Sequence, residues 1–274
     1  MTITGTDPGL ARARLRFSGV VRSEWIKLRT LRSTVWIAIG TVLTAIALSM
    51  IFGSAAPQLN ATLDPSLTNA FAVQVVVQAA TIGLPLAQLP IAVLGVLSMS
   101  GEFTSGSIRA TFTAVPRRLW VLAGKLVVLT ALTLVVGLAI TFGSYALTAP
   151  VLSSAGVTAS LLDPDVTFRL LGGAIVLPAI AALALGIGTI IRSTVAAIAT
   201  VAAILLVLPP VFSILGQHWA QTIVGLLPTS AGSILYSVAT APGSLEPWAA
   251  ALVLLAWSAA SLTIGATTLH RRDV

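Results

Sequence analysis

Apolar residues dominate this chain, and the few polar interruptions mark out its segments. No Asp, Glu, Lys or Arg occurs between Asp64 and Glu102, or between Lys125 and Asp163. Two long uncharged runs therefore flank one polar island, GEFTSGSIRATFTAVPRRLWVLAGK (Gly101–Lys125). A helix crosses the hydrocarbon of a bilayer with about 20 predominantly apolar residues. The pattern predicts six such spans, at about 34–53, 71–100, 119–148, 170–191, 194–208 and 248–269. The second would be about 45 Å long at about 1.5 Å per residue, more than the roughly 30 Å of hydrocarbon, so it must tilt, protrude or kink, and Pro85 and Pro90 supply kinks. The fifth is expected to stop at Pro209 and Pro210. Residues 211–246 are semi-apolar and broken by Gly216, Gly225, Pro228 and Gly232, and they carry His218, Trp219 and Glu246. They read as short helices that re-enter the membrane from outside before the last span.

The N-terminal part has a different pattern. Residues 1–15 are polar and aperiodic, as in a frayed cytoplasmic tail. Over 16–33, Phe17, Val20, Val21, Trp25, Leu28 and Leu31 fall within roughly 140° of a helix, with Arg22, Lys27 and Arg29 outside that arc. This predicts an amphipathic interfacial helix leading into the first span. Glu24 falls inside the apolar arc, where a carboxylate needs a partner; a local bond to Lys27 is the simpler expectation, and a basic group elsewhere in the assembly is the other.

Within the island, Ser107 can cap a short helix that runs through Ala114, and Pro116 ends it. Ile108, Thr111, Phe112 and Val115 share one face, with Arg109, Arg117 and Arg118 around it. An apolar ridge with cationic flanks suits a groove on a soluble partner. A merely solvated basic loop is the competing reading.

Composition narrows the classes. The chain of 274 residues is 57% hydrophobic and 8% charged, with a mean hydropathy of +1.01, which fits an all-α polytopic membrane protein in one transmembrane domain, 1–274. The net charge of +7 sits in clusters beside the spans rather than interleaved with aromatics, so it reads as orientation in a membrane and not as nucleic-acid binding. With both termini in the cytoplasm, every Lys and Arg except Arg169 lies on the cytoplasmic side. There is no cysteine and there are two histidines, which excludes thiolate chemistry and disfavours a metal centre. No span carries an ionisable residue near its middle, which disfavours an ion-coupled carrier. Neither histidine lies in a span, so a buried nucleophile–base pair is also disfavoured. Gly124-Lys125 is followed by Leu126 and lacks the upstream glycine of a phosphate-binding loop. If ATP supplies energy, another subunit binds it.

One polar stripe crosses the second span. Gln74, Gln78, Thr81 and Gln88 fall within roughly 80°, with Pro85 in the same arc. They serve either as interhelical hydrogen-bonding glue or as a substrate path.

Three segments carry a family resemblance: RSEWIKLRTLRSTVW (Arg22–Trp36), the island Gly101–Lys125, and LHRRDV (Leu269–Val274). With the topology, they resemble the permease subunits of type-2 ATP-binding-cassette exporters, in the short form common in high-GC Gram-positive bacteria. The resemblance implies a connecting helix containing Glu24, Trp25, Lys27 and Arg29. It implies a coupling helix, Ser107–Ala114, seated on the ATP-binding subunit, with Glu102 and Gly106 matching the family's Glu-x-x-x-Gly. It further implies a second permease, identical or not, and two cytoplasmic ATP-binding subunits that hold ATP and Mg, with no cofactor on this chain. The expected location is the bacterial plasma membrane and the expected cargo an amphipathic, drug-like or lipidic compound. A non-transporting anchor or sensor, or a small passive channel, is the alternative.

Overall fold

The computed structural model describes residues 16–59, 69–238 and 244–271. The expected tail 1–15 and the final residues of the LHRRDV segment lie outside these. All regular elements among the described residues are helical. Six of them, or continuous runs of them, are long and apolar enough to cross a membrane. The chain is an all-helical, multi-pass membrane protein.

One helix, α7 (Pro164–Ile191), runs through the middle of the others. Pro164 occupies its first turn, where a missing N–H costs little, and the Asp163 carboxylate accepts from the Asp165 N–H at 3.0 Å. Its surface is buried almost all round, against α4 (Leu84–Thr104), α6 (Arg118–Ser154) and α12 (Pro247–Arg271). Close approach explains its small-residue neighbours. A Cβ on Gly95 of α4 would lie 2.6 Å from the Ala181 carbonyl, and one on Gly137 of α6 would lie 2.5 Å from that of Ala174. In hydrocarbon, where apolar burial gives little drive to associate, such backbone contact is a main source of helix–helix attraction.

The expected second span is two helices, α3 (Asn69–Thr81) and α4, broken at Ile82–Gly83. Pro85 lacks an N–H and crowds the carbonyl four residues back. Gly83 is required because α2 (Arg32–Leu59) crosses at this point; a Cβ there would sit 2.5 Å from the Ala45 carbonyl. Further differences concern span ends. α6 continues six residues past the expected Thr148, to Ser154, which makes it about 55 Å long at about 1.5 Å per residue. The fifth span does not stop at Pro209. After α8 (Thr194–Ala202) a π-helical stretch, Ala203–Val207, leads into α9 (Leu208–Ile214). The two prolines sit in the first turn of α9, where they are tolerated. Two short helices follow, α10 (His218–Gly225) and α11 (Pro228–Tyr236), as the broken pattern suggested. Arg169 of α7 donates to the Ile234 carbonyl at 3.1 Å and ties α11 down.

α1 (Phe17–Thr30) rests on α6, and it does so with the arc expected to face headgroups. Val20 and Glu24 are buried there, while Trp25 and Leu31 stay exposed. Gly124 makes the contact possible, since a Cβ on it would lie 3.0 Å from Val20 Cγ1.

Candidate functional site

Three helices meet at the end of α4 that adjoins α5 (Ser107–Ala114), and each brings charge. α1 supplies Glu24 and Lys27, α4 supplies Glu102 in its last turn, and α6 supplies Lys125 from its second turn. Lys125 Nζ donates to Glu24 Oε2 at 2.7 Å and to Glu102 Oε1 at 2.6 Å. Lys27 Nζ donates to Glu24 Oε1 and to Glu102 Oε1, both at 2.9 Å. Two cations and two anions alternate around the cluster, which is neutral as a whole. The Lys125 and Glu24 side chains are each 4% exposed. Stripping water from such ions costs several kcal/mol each, so the cluster holds only because every member has two opposite partners. Burial works against the charge of Lys27, but bonds to Glu24 and Glu102 outweigh it and hold its pKa above the ordinary 10.5.

The local Glu24–Lys27 pair expected from sequence is therefore present, as one edge of a larger cluster. Lys125 was not anticipated. The signal was available, because a lysine six residues inside a predicted span must find carboxylates, and Glu24 and Glu102 both lie at that border.

From this cluster the chain turns into α5. Gly106 takes the left-handed conformation at φ 71°, which a residue with a Cβ adopts only with strain. Ser107 begins the helix but does not cap it; Gly106 is the N-cap, and Ser107 Oγ lies 2.9 Å from Ser105 Oγ instead. Thr111 Oγ1 donates to Glu102 Oε2 at 3.4 Å, linking α5 to the charges. The apolar ridge needs correction. Ile108 is 2% exposed and belongs to the protein's own core, and Phe112 packs against that core. An apolar ridge this close to the ends of the spans buries itself on them first. What α5 leaves exposed is Ser107, Arg109, Ala110, Thr113 and Ala114. Arg117 stacks on Trp120 at 4.6 Å, and Arg118 lies over Phe112 at 5.4 Å while donating to the Leu269 carbonyl at 3.0 Å. Trp25 and Arg29 are exposed on α1. A cavity of about 500 Å³ opens between α1 and α5, lined by Leu28, Leu31, Ser105, Ala110 and Thr111 beside the charge cluster.

The glutamine stripe divides in two. Gln74, Gln78 and Thr81 of α3 line one cavity of about 280 Å³ with Pro85 and with Ser233, Tyr236 and Ser237 from α11 and its end. Gln88 does not reach it. Beyond the break at Ile82–Gly83, α4 packs against α7 and α2. There Gln88 is 1% exposed, and neither amide atom finds a hydrogen-bond partner. The cavity is lined by α3 and the first turn of α4, whereas the charge cluster takes Glu102 from the last turn of α4.

These features define a class: a multi-pass helical membrane protein that presents a short helix beside the end of α4 and a cavity with polar groups in its wall between α3 and α11. The family described as "ABC-2 family transporter protein" matches residues 20–274. The chain belongs to that family and is an ABC transporter permease, a membrane component without an ATPase of its own. Permeases of this family generally work with a cytoplasmic ATP-binding subunit. No curated protein matches the chain.

Proposed function

We propose that the chain is the export permease of an ATP-driven complex in the bacterial plasma membrane, formed with a second permease and two copies of an ATP-binding subunit. ATP and Mg belong to that subunit. Both termini and α5 face the cytoplasm, and α10 and α11 re-enter from the outer side. The observation that carries this reading is the mounting of α5. An eight-residue helix with an exposed polar and cationic face is held by Glu102 to a cluster that joins α1, α4 and α6. A push on α5 is thereby shared among three helices instead of being lost in a loop.

The docking face is Ser107, Arg109, Ala110 and Thr113, with Arg117 at its edge and Gly106 setting its angle. Ile108, Phe112 and Arg118 support that face from behind. α1, with Trp25, Lys27 and Arg29, acts as the connecting helix, and Glu24 anchors it. ATP-driven closure of the two ATP-binding subunits moves α5 and α1 together and opens the seam between permeases. The cavity of Gln74, Gln78 and Thr81 lies on the path of an amphipathic cargo moving outward.

Co-expression with the ATP-binding subunit tests the docking face. Arg109→Glu and Ala110→Asp place unmatched charge in the contact and are expected to cost association about 2 kcal/mol or more, roughly thirtyfold in affinity. The permease itself should remain folded, since both positions are exposed. Undiminished co-purification of both variants would remove α5 as the docking element.

A further inference from the structure

The α3–α11 cavity carries information about the head of the cargo. Its walls are mostly apolar, with Val77, Ile82, Pro85 and Val238, and among them stand two amides and four hydroxyls: Gln74, Gln78, Thr81, Ser233, Tyr236 and Ser237. Thr81 Oγ1 is satisfied by the Val77 carbonyl at 2.8 Å and Ser233 Oγ by that of Ser230 at 2.7 Å. The side chains of Gln74, Gln78, Tyr236 and Ser237 make no hydrogen bond among the described residues. Four neutral donor–acceptor groups thus converge on one space with their bonding capacity unused. Among the described residues, no ionisable carboxylate, ammonium, guanidinium or imidazole lines the cavity. Arg169 donates one guanidinium N–H to the Ile234 carbonyl of α11 and is not among the described lining residues.

We infer that this cavity binds the neutral, hydrogen-bonding headgroup of an amphiphile, a glycoside, polyol or amide, and discriminates against charged heads. The inference rests on the export reading above and adds to it the chemistry of the cargo. A charged head entering a space between membrane helices needs an opposite charge to replace its water, and these walls offer none. Amides and hydroxyls both donate and accept, which matches a polyhydroxyl or amide head and leaves few groups unpaired on either side. Size points the same way: at about 280 Å³ the space falls just below the range of about 300–1,000 Å³ for whole drug-sized ligands. It suits a single sugar-sized head. The tail then lies outside, beyond the lining residue Pro85, which is exposed.

The chain has no cysteine, so Ser237→Cys creates one reporter in the wall with little change in size. The complex with its ATP-binding subunit, in lipid nanodiscs, is labelled with N-ethylmaleimide in the presence of three amphiphiles that share a ten-carbon tail. These are decyl-β-glucoside, decyltrimethylammonium and decyl phosphate, each below its micellar concentration. The glucoside is expected to slow labelling about threefold once its concentration reaches about twice Kd. The two charged amphiphiles should leave the rate unchanged, and Gln78→Leu in the same background should abolish the protection. Gln74→Cys serves as the reporter if Ser237→Cys does not yield folded complex. Equal or better protection by a charged amphiphile, or none by the glucoside, overturns the headgroup assignment. Amphiphile-stimulated ATP hydrolysis, measured on the same samples, addresses the export reading separately. Protection without stimulation keeps the headgroup site and contradicts the path; stimulation sensitive to Gln78→Leu but confined to charged amphiphiles keeps the path and contradicts the headgroup class.

Discussion

The two polar regions of this permease are built on opposite plans. At the end next to α5, Glu24, Lys27, Glu102 and Lys125 satisfy one another at 2.6–2.9 Å. On α3, Gln74 and Gln78 line a cavity, and their amides make no hydrogen bond among the described residues. A buried polar group that finds its partner inside the protein contributes to holding the fold. One that is left unpaired beside open space is available to something that enters. On the proposed reading, charge is placed where helices must move together, and neutral polarity where a passenger must bind and leave.

The largest effect expected from this contrast is at Lys125. Lys125→Met leaves Glu24 buried and short of a counter-charge, and breaking a buried pair from one side costs about 3–5 kcal/mol. The variant should melt far below the wild type in detergent or fail to accumulate. Glu24→Gln combined with Lys125→Met should recover part of the loss, because no bare charge remains. A single variant that melts within a degree or two of wild type would mean that the cluster does not hold α1 to α6.

Gln88 gives a smaller effect of opposite sign. Its amide is enclosed and unpartnered, so Gln88→Leu removes a desolvation cost of about 1–3 kcal/mol. Thermal stability should rise. A fall would reveal a partner that Gln88 meets in another conformation, and would return it to the path from which the break at Ile82–Gly83 separates it.

Smallest in stability are Gln74→Leu and Gln78→Leu. Neither side chain holds a bond among the described residues, so each should change stability by less than the roughly 0.6 kcal/mol typical of a membrane hydrogen bond. Their effect belongs to cargo response. If melting falls in proportion to lost stimulation, the glutamines are packing residues and the contrast between the two regions fails on this side.

Much of this was legible in the sequence, for identifiable reasons. The uncharged runs give the six spans because the hydrocarbon admits little else. Ser107–Ala114 forms a helix over the same residues that Pro116 and the apolar spacing suggested. The misses share a cause, which is contact between segments distant in the chain. Periodicity placed Gln88 on the same face as Gln74 because it assumed one continuous helix; the passage of α2 over Gly83 interrupts it. Ile108 read as a partner-facing ridge because nothing local indicates that it joins the core formed by the spans. Glu24 does bond its near neighbour Lys27, but its second partner, Lys125, lies 101 residues away in sequence.

The central claim is that the charge cluster transmits movement from α5 to the spans while cargo is handled elsewhere. Glu102→Gln tests it, with ATP hydrolysis and ATP-dependent uptake of radiolabelled decyl-β-glucoside followed together in inside-out vesicles. Bonds to a charged group are worth about 1.5–3 kcal/mol, and if that energy is lost from the transport barrier the change is roughly ten- to a hundredfold in rate. Only complex that keeps its melting temperature is compared, because Lys125 loses one of its two carboxylates. Uptake should fall by that amount while hydrolysis stays within about twofold of wild type, an uncoupling that the shared position of Glu102 between α1, α5 and α6 requires. Parallel loss of hydrolysis and uptake, or retention of both, would contradict it.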